Sequence, residues 1–162
     1  MEKTNSILIM LVIFLLISVL FVYAYIHRAE IPIEITVKQP EVKAPFNHVK
    51  EEQIKVYSDR VELLVDEPKW ARFAGTKSMI PVLDEDTNAI QIVPDSPDDI
   101  HVGDIAVYNS NYIEQPVIHR VIEISNDENG WYAILKGDSN LMPDPGRIRF
   151  GQVTRLTIGI LY

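Results

Sequence analysis

An uncharged apolar stretch from Ile7 to Ile26 constrains this chain more than any other feature of its sequence. Its twenty residues, at about 1.5 Å per residue in a helix, would span roughly 30 Å, the thickness of a bilayer's hydrocarbon core. A cleavable secretory signal would have a shorter apolar core followed by small residues, and Val22 and Ala24 make a poor cleavage site. We therefore predict an N-terminal transmembrane anchor at residues 1–30, with its helix at about 7–26.

The charge balance excludes several kinds of partner and chemistry. The 162 residues carry a formal charge of −8, and the four charges within residues 1–30 cancel, so the rest of the chain holds all of it. An acidic body repels phosphates and the sequence has no segregated basic patch, so we predict no nucleic-acid partner. Cysteine is absent, which excludes disulfides and thiolate catalysis. Any nucleophile must be an oxygen or an amine.

The segment after the apolar stretch is predicted to connect it to a folded domain. Residues 31–38 alternate apolar and polar positions, as a half-buried strand does. Residues 39–53 contain two prolines and little apolar periodicity, which favours an extended connection. We therefore predict a membrane-proximal strand and linker at 31–53, without assigning it a role.

The remainder is predicted to be one mostly β domain at residues 54–162. Short apolar runs recur there between turn residues, and none shows a long helical period. The six runs are Val61–Val65, Ile90–Val93, Ile105–Tyr108, Val117–Ile124, Trp131–Leu135 and Leu156–Leu161. We expect them to form one closed or partly closed sheet around a single core.

Three segments contain groups that could carry chemistry, although each also has an ordinary structural explanation. Ser78 lies in a loop flanked by Gly75 and Pro81, where serine is usually a turn residue. His119 lies among β-branched residues of a predicted strand, and a neutral imidazole there could accept a proton near neutral pH. Asp138 and Asp144 lie in a turn-rich stretch, which alone would explain both of them.

Lysines and the other histidines offer alternatives. Lys77 neighbours Ser78, but adjacent side chains of an extended segment point to opposite faces, and Lys136 near the Gly-Asp turn is the better rival base. The histidines at 27, 48 and 101 lack the H-x-x-x-H and H-E-x-x-H spacings. We predict no metal and no other cofactor.

Four motifs follow one another along the chain: Ser78-Met79-Ile80-Pro81, Val102-Gly103-Asp104, His119-Arg120-Val121 and Gly137-Asp138-Ser139-Asn140 with the later Asp144. This order is typical of type I signal peptidases, and the chain resembles the archaeal and endoplasmic-reticulum branch of that family. The resemblance covers residues 72–162 and the preceding anchor. The chain departs from the family pattern at Lys77, where glycine is frequent, and at Val82, where threonine is usual.

The resemblance implies a signal-peptidase-like β catalytic domain with a serine nucleophile. Ser78 would attack, His119 would act as general base where bacterial relatives have lysine, and Asp144 would orient the imidazole. Asp138 matches a supporting position, and its separation from Asp144 leaves it open as the imidazole's partner. Thr76 matches a hydroxyl that helps to stabilise the oxyanion.

The resemblance also implies a function. The enzyme would be a membrane-bound serine endopeptidase that removes N-terminal signal peptides from secretory precursor proteins through an acyl-enzyme. Its N-terminus would be cytoplasmic and its catalytic domain extracytoplasmic, beside the lipid bilayer of the cell membrane. Accessory subunits are not indicated. The alternatives are an inactive membrane-tethered β interaction domain and a regulatory self-cleaving peptidase of the same fold.

Overall fold

The computed structural model describes residues 2–26 and 42–162. The chain divides into two compact units, Met1–Gln39 and Pro40–Tyr162. The strand predicted at residues 31–38 and the first part of the predicted linker lie outside the described residues.

The apolar stretch lies in one helix, α1, which covers Glu2–Ile26. Its described side chains are largely exposed; Phe14 and Phe21, for example, are 74% and 75% exposed. Within the part of the chain that the structure describes, no helix is both long enough and apolar enough to cross a membrane. The membrane crossing predicted for residues 7–26 stays a prediction.

The second unit is mostly β, as the sequence predicts. Its strands are β1 (Ile54–Val56), β2 (Val61–Leu63), β3 (Lys69–Arg72), β4 (Asn88–Ile92), β5 (Ile105–Tyr108), β6 (Val117–Asp127), β7 (Gly130–Lys136) and β8 (Val153–Leu161). Each of the six predicted apolar runs overlaps a strand. The sequence analysis missed β1, β3 and three short 3₁₀ turns at residues 51–53, 97–99 and 150–152.

The strands form two antiparallel sheets. β1 and β2 make a two-stranded sheet, and the others make a six-stranded sheet in the order β3-β4-β8-β5-β6-β7. The C-terminal strand β8 therefore lies in the middle, between β4 and β5. β5 pairs on its other side with β6, where Ala106 of β5 lies opposite His119 of β6. This register places the predicted histidine in a strand with partners on both sides.

Two apolar clusters hold the sheet. The larger cluster is built mainly from residues of β5 to β8, and Ala106, Val121 and Ala133 in it are completely buried. The smaller cluster consists of Met79, Leu83 and Ile105, with Phe73, Val82, Ile118 and Ile160 packed around it. Met79 and Leu83 belong to the loop between β3 and β4. The smaller cluster therefore fixes that loop, which contains Ser78, against the sheet.

The segment at residues 42–50 contains no helix or strand, yet it is attached to the loop before β5. Asp104, only 1% exposed, accepts hydrogen bonds from the Phe46 amide at 2.9 Å and from His48 Nε2 at 3.0 Å. Burial alone would raise the pKa of Asp104, but hydrogen bonds from His48 and from the amides of His101 and Phe46 outweigh burial and lower it. Asp104 is therefore ionised at neutral pH.

Gly103 permits this attachment. Its φ is +110°, and a Cβ atom at this position would collide with the Ala44 carbonyl group. Only glycine provides both the backbone conformation and the space. The Val-Gly-Asp motif thus has a structural explanation here, since the glycine admits the segment and the aspartate binds it.

Candidate active site

Ser78 begins a tight turn whose next residue is anchored in the core. The amides of Val82 and Leu83 both donate to the Met79 carbonyl oxygen, at 2.9 and 3.0 Å. The Met79 side chain is 3% exposed, whereas Ile80 is 38% exposed. The anchored turn limits the movement of the Ser78 backbone.

The Gly-Asp loop clamps this turn from the other side. The Ser139 amide donates to the Ser78 carbonyl oxygen at 2.9 Å. The Ser139 hydroxyl lies 2.9 Å from the carbonyl oxygens of both Lys77 and Ile80 and can donate to either. Gly137 makes this approach feasible, because a Cβ atom at this position would lie only 2.7 Å from the carbonyl oxygen of Ser78.

Lys77 has the left-handed backbone conformation, with φ of +62°. Glycine adopts that region without steric cost, whereas other residues do not. The left-handed conformation at Lys77 is one that glycine, the residue of the family pattern at this position, would adopt without strain. The Lys77 side chain is exposed.

His119 lies between a hydroxyl and a carboxylate. Its side chain is buried, its Nε2 is 3.1 Å from Ser78 Oγ, and its Nδ1 is 2.6 Å from Asp144 Oδ2. Because a carboxylate only accepts hydrogen bonds, Nδ1 carries the proton that it donates to Asp144. The Nε2 of the neutral imidazole then presents its lone pair to the serine hydroxyl. The structure thus brings Ser78, His119 and Asp144 together from three distant segments.

Asp144 has a second donor that the sequence analysis missed. Tyr108 of β5, 2% exposed, donates its hydroxyl to Asp144 Oδ2 at 2.9 Å. Burial raises the pKa of the Tyr108 phenol, and the hydrogen bond to the Asp144 carboxylate and its charge raise it further. The phenol therefore stays protonated and remains a donor. Tyr108 belongs to no sequence motif. In the sequence it is simply the last residue of the apolar run Ile105–Tyr108, so nothing indicates a polar role for its hydroxyl.

Backbone contacts fix the loop that carries Asp144. The Asp144 amide donates to the Leu135 carbonyl oxygen at 2.8 Å. Further along, Ala133 and Ile148 exchange two backbone hydrogen bonds of 2.8 and 2.9 Å. Both ends of the aspartate loop are therefore tied to β7.

Asp138 has a different partner. It forms a bidentate ion pair with Arg120, with two contacts of 2.7 Å, and both side chains are less than 10% exposed. Arg120 also donates to the Gly103 carbonyl oxygen at 2.8 Å. His119 and Arg120, adjacent on β6, thus bind Asp144 and Asp138 respectively. The sequence left open which aspartate contacts the imidazole. In the structure that aspartate is Asp144.

The remaining candidates lie as follows. Thr76 Oγ1 is 3.1 Å from Ser78 Oγ, and either hydroxyl can donate. Lys136 Nζ points to the Gly137 carbonyl oxygen at 3.4 Å. The polar contact described for this rival base is therefore with its neighbour's backbone and not with the Ser78 hydroxyl.

A cleft of about 640 Å³ contains Ser78 and His119. Apolar side chains form much of its wall. Its lining residues are 71–74, 76–79, Leu83, Asp84, Gln91, Val107, Ile113, 115–119 and Arg155. The cleft is large enough for several residues of an extended peptide, and one side of it is formed by the β3 end and the serine turn.

A hydroxyl, an imidazole and a carboxylate in this order are the arrangement with which serine hydrolases activate a nucleophile. Comparison with known proteins finds similarity to catalytic subunits of signal peptidase complexes. The chain is 36% identical over 76 residues to the signal peptidase complex catalytic subunit sec11 of Dictyostelium discoideum, which is 46% of this chain and 41% of the relative. It is 35% identical over 51 residues to the subunit SEC11 of Plasmodium falciparum (isolate 3D7), which is 31% of this chain and 28% of the relative.

These similarities confirm the resemblance to type I signal peptidases of the endoplasmic-reticulum branch. The chain spans less than half the length of each of these two relatives. No protein-family model and no solved structure matches the chain.

Replacing Tyr108 with phenylalanine should destabilise the domain by about 1.5–3 kcal/mol, because the Asp144 carboxylate, whose side chain is 10% exposed, would lose a hydrogen-bond donor. Urea denaturation would measure the loss. Tyr132→Phe is the matched control, since Tyr132 is also buried and its hydroxyl has no hydrogen bond described within residues 42–162. An equal loss of stability in the two variants would contradict the role of the Tyr108–Asp144 contact.

Proposed function

We propose that this protein is a serine endopeptidase that removes N-terminal signal peptides from secretory precursor proteins. The continuous chain of hydrogen bonds from Ser78 through His119 to Asp144 carries the proposal. Similarity to two signal peptidase catalytic subunits supports the choice of substrate.

In the proposed reaction, Ser78 Oγ attacks the carbonyl carbon of the scissile peptide bond while its proton passes to His119 Nε2. The imidazolium, stabilised by Asp144, then gives that proton to the leaving amine as the C–N bond breaks. Water attacks the resulting acyl-enzyme, with His119 again taking the proton and returning it to Ser78. The hydroxyl is thereby regenerated.

The backbone amide of Ser78 is the proposed donor to the oxyanion. None of the hydrogen bonds described for residues 42–162 uses this amide. The Thr76 hydroxyl, next to Ser78 Oγ, is the proposed second donor. A donor of this kind typically contributes about 100- to 1000-fold in rate. Rotation of Thr76 toward the oxyanion would be required as the tetrahedral intermediate forms.

The cleft beside Ser78 is the proposed binding site for the precursor. Small side chains before the cut would fit between apolar walls that include Ala71, Ala74 and Ile118. The segment of the precursor around the cut would lie in an extended conformation along the end of β3. Burial of apolar side chains would then supply binding energy, while the serine turn sets the position of the cut.

Replacing Ser78 with alanine should lower precursor cleavage at least a thousandfold, because no other group described in the cleft is aligned with His119 Nε2. Incubating purified protein with a precursor in detergent would measure this, with cleavage products read on a gel. Ser58→Ala, an exposed serine outside the cleft, is the control and should cleave normally. Cleavage by the Ser78 variant at the normal rate would contradict the mechanism, and an inactive wild-type protein would favour the interaction-domain alternative.

The two aspartates should differ in their effects. Asp144→Asn should lower the cleavage rate by roughly 10³- to 10⁴-fold, since an amide in place of the carboxylate no longer holds the required imidazole tautomer. Asp138→Asn should instead reduce stability, by about 3–5 kcal/mol, because it leaves the buried guanidinium of Arg120 without its counter-charge. Steady-state rates and urea denaturation of both variants would separate the effects. A larger rate loss for Asp138→Asn would contradict the assignment.

Membrane tethering is also part of the proposal, with the N-terminus cytoplasmic and the β domain outside the cytoplasm. It rests on the uncharged stretch at residues 7–26 and on the exposed apolar side chains along α1. A tether would raise the effective concentration of precursors held in the same membrane.

The full chain should stay with lipid vesicles during alkaline carbonate washing. Replacing both Leu15 and Leu20 with arginine should release it, since a charged residue costs roughly 2.5–3.5 kcal/mol at the centre of a bilayer. Leu141→Arg is the control, as this leucine is 95% exposed in the β domain. Release of the wild-type chain by carbonate would contradict the tether.

A further inference from the structure

Two imidazoles and a carboxylate meet beside the start of β5, and they share no residue with the Ser78–His119–Asp144 arrangement. His48 Nε2 lies 3.0 Å and His101 Nδ1 lies 3.8 Å from the same oxygen, Asp104 Oδ2. All three potential ligand atoms lie within 4.8 Å of one another. These residues come from the segment at 42–50 and from the loop between β4 and β5.

One of these atoms is buried without a hydrogen-bond partner. His101 Nδ1 is inaccessible and makes no hydrogen bond within the described residues. Its distance from Asp104 Oδ2 is too long for a hydrogen bond. Phe46 stacks on the His101 ring, with centroids 4.0 Å apart and planes 10° from parallel, and so holds its orientation. A buried nitrogen in this setting is costly unless something binds it.

We propose that His48, His101 and Asp104 bind a divalent zinc-type cation. Two imidazole nitrogens and a carboxylate oxygen are a suitable donor set for zinc. With bonds of about 2.0–2.1 Å in tetrahedral geometry, neighbouring ligand atoms lie about 3.3 Å apart. The two separations from Asp104 Oδ2, 3.0 and 3.8 Å, bracket that value, and all three ligand atoms lie within 4.8 Å of one another. Small side-chain shifts would therefore complete the site, with water as the fourth ligand.

The charges and exposure of the cluster are compatible with ion entry. Asp104 supplies the negative charge, and the proton that His48 Nε2 donates to it is replaced by the ion on binding. The cluster lies next to the protein surface, since the His101 side chain is 39% exposed although its Nδ1 is buried, whereas the side chains of His48 and Asp104 are at most 9% exposed. The ion would cross-link the segment containing His48 to the loop that precedes β5.

Contacts around the cluster connect this cross-link to β6. The Val121 amide donates to the Asp104 carbonyl oxygen at 2.8 Å, and Arg120 donates to the Gly103 carbonyl oxygen at 2.8 Å. Binding of the ion to the folded state alone would therefore stabilise the β domain. The role assigned to the ion is structural and does not depend on the proposed peptidase activity.

Titration of the full chain with Co²⁺ and Zn²⁺ tests the site. The protein, in detergent, without a histidine tag and stripped with a chelator, should bind one ion per chain. Co²⁺ should give the visible absorption of a tetrahedral complex, and Zn²⁺ should abolish that absorption and raise the melting temperature. Absence of saturable binding by the wild-type chain, by calorimetry and absorption, would overturn the proposal.

Single substitutions of the chain's four histidines locate the ion. His48→Gln and His101→Asn should each weaken Zn²⁺ binding at least tenfold, while His27→Gln and His119→Gln should bind as the wild type does. The introduced side-chain amides approximate the replaced ring nitrogens, and circular dichroism of the metal-free variants would establish that they fold. Loss of binding in the His27 or His119 variant alone, or equal binding in all four, would contradict the site.

Discussion

The 2.6 Å hydrogen bond between His119 Nδ1 and Asp144 is the interaction on which the candidate active site depends. It joins β6 to a loop that follows β7, and it determines which imidazole nitrogen faces Ser78. Tyr108 adds a second donor to the same carboxylate oxygen. The orientation of one histidine ring thus depends on a strand, a loop and a buried phenol together.

Two adjacent residues on β6 contact two different carboxylates. His119 contacts Asp144, and Arg120 forms a buried bidentate pair with Asp138. Neighbouring residues of a strand point to opposite faces of the sheet. The side chains of His119 and Arg120 therefore lie in two different environments. Arg120 donates to the carbonyl group of Gly103 in the loop before β5, where Gly103 and Asp104 hold the segment at residues 42–50.

Much of the β domain could be predicted from the sequence, and the reasons for the exceptions are physical. The runs that became β5 to β8 contain many β-branched residues and end at turn residues, so their strands are visible as patterns. β3 has the sequence Lys-Trp-Ala-Arg and is too short and too polar to show a period. The motif order identified Ser78, His119 and the two aspartates but left the imidazole's partner open. That choice depends on how the loop after β7 folds, which the spacing of the aspartates does not encode. Sequence analysis set His48 and His101 aside as metal ligands because they lack a metal-binding spacing, and their proximity to Asp104 was not visible, since His48 and Asp104 are 56 positions apart.

Ser78 is followed directly by a residue of the apolar core. Met79 packs with Leu83 and Ile105, and the Gly-Asp loop holds the same turn from outside. The position of the Ser78 hydroxyl therefore depends on packing in the interior of the domain. A change in the volume of that small cluster would shift the alcohol relative to the imidazole while leaving every polar group in place, so the precision of the site is limited by packing as much as by its hydrogen bonds.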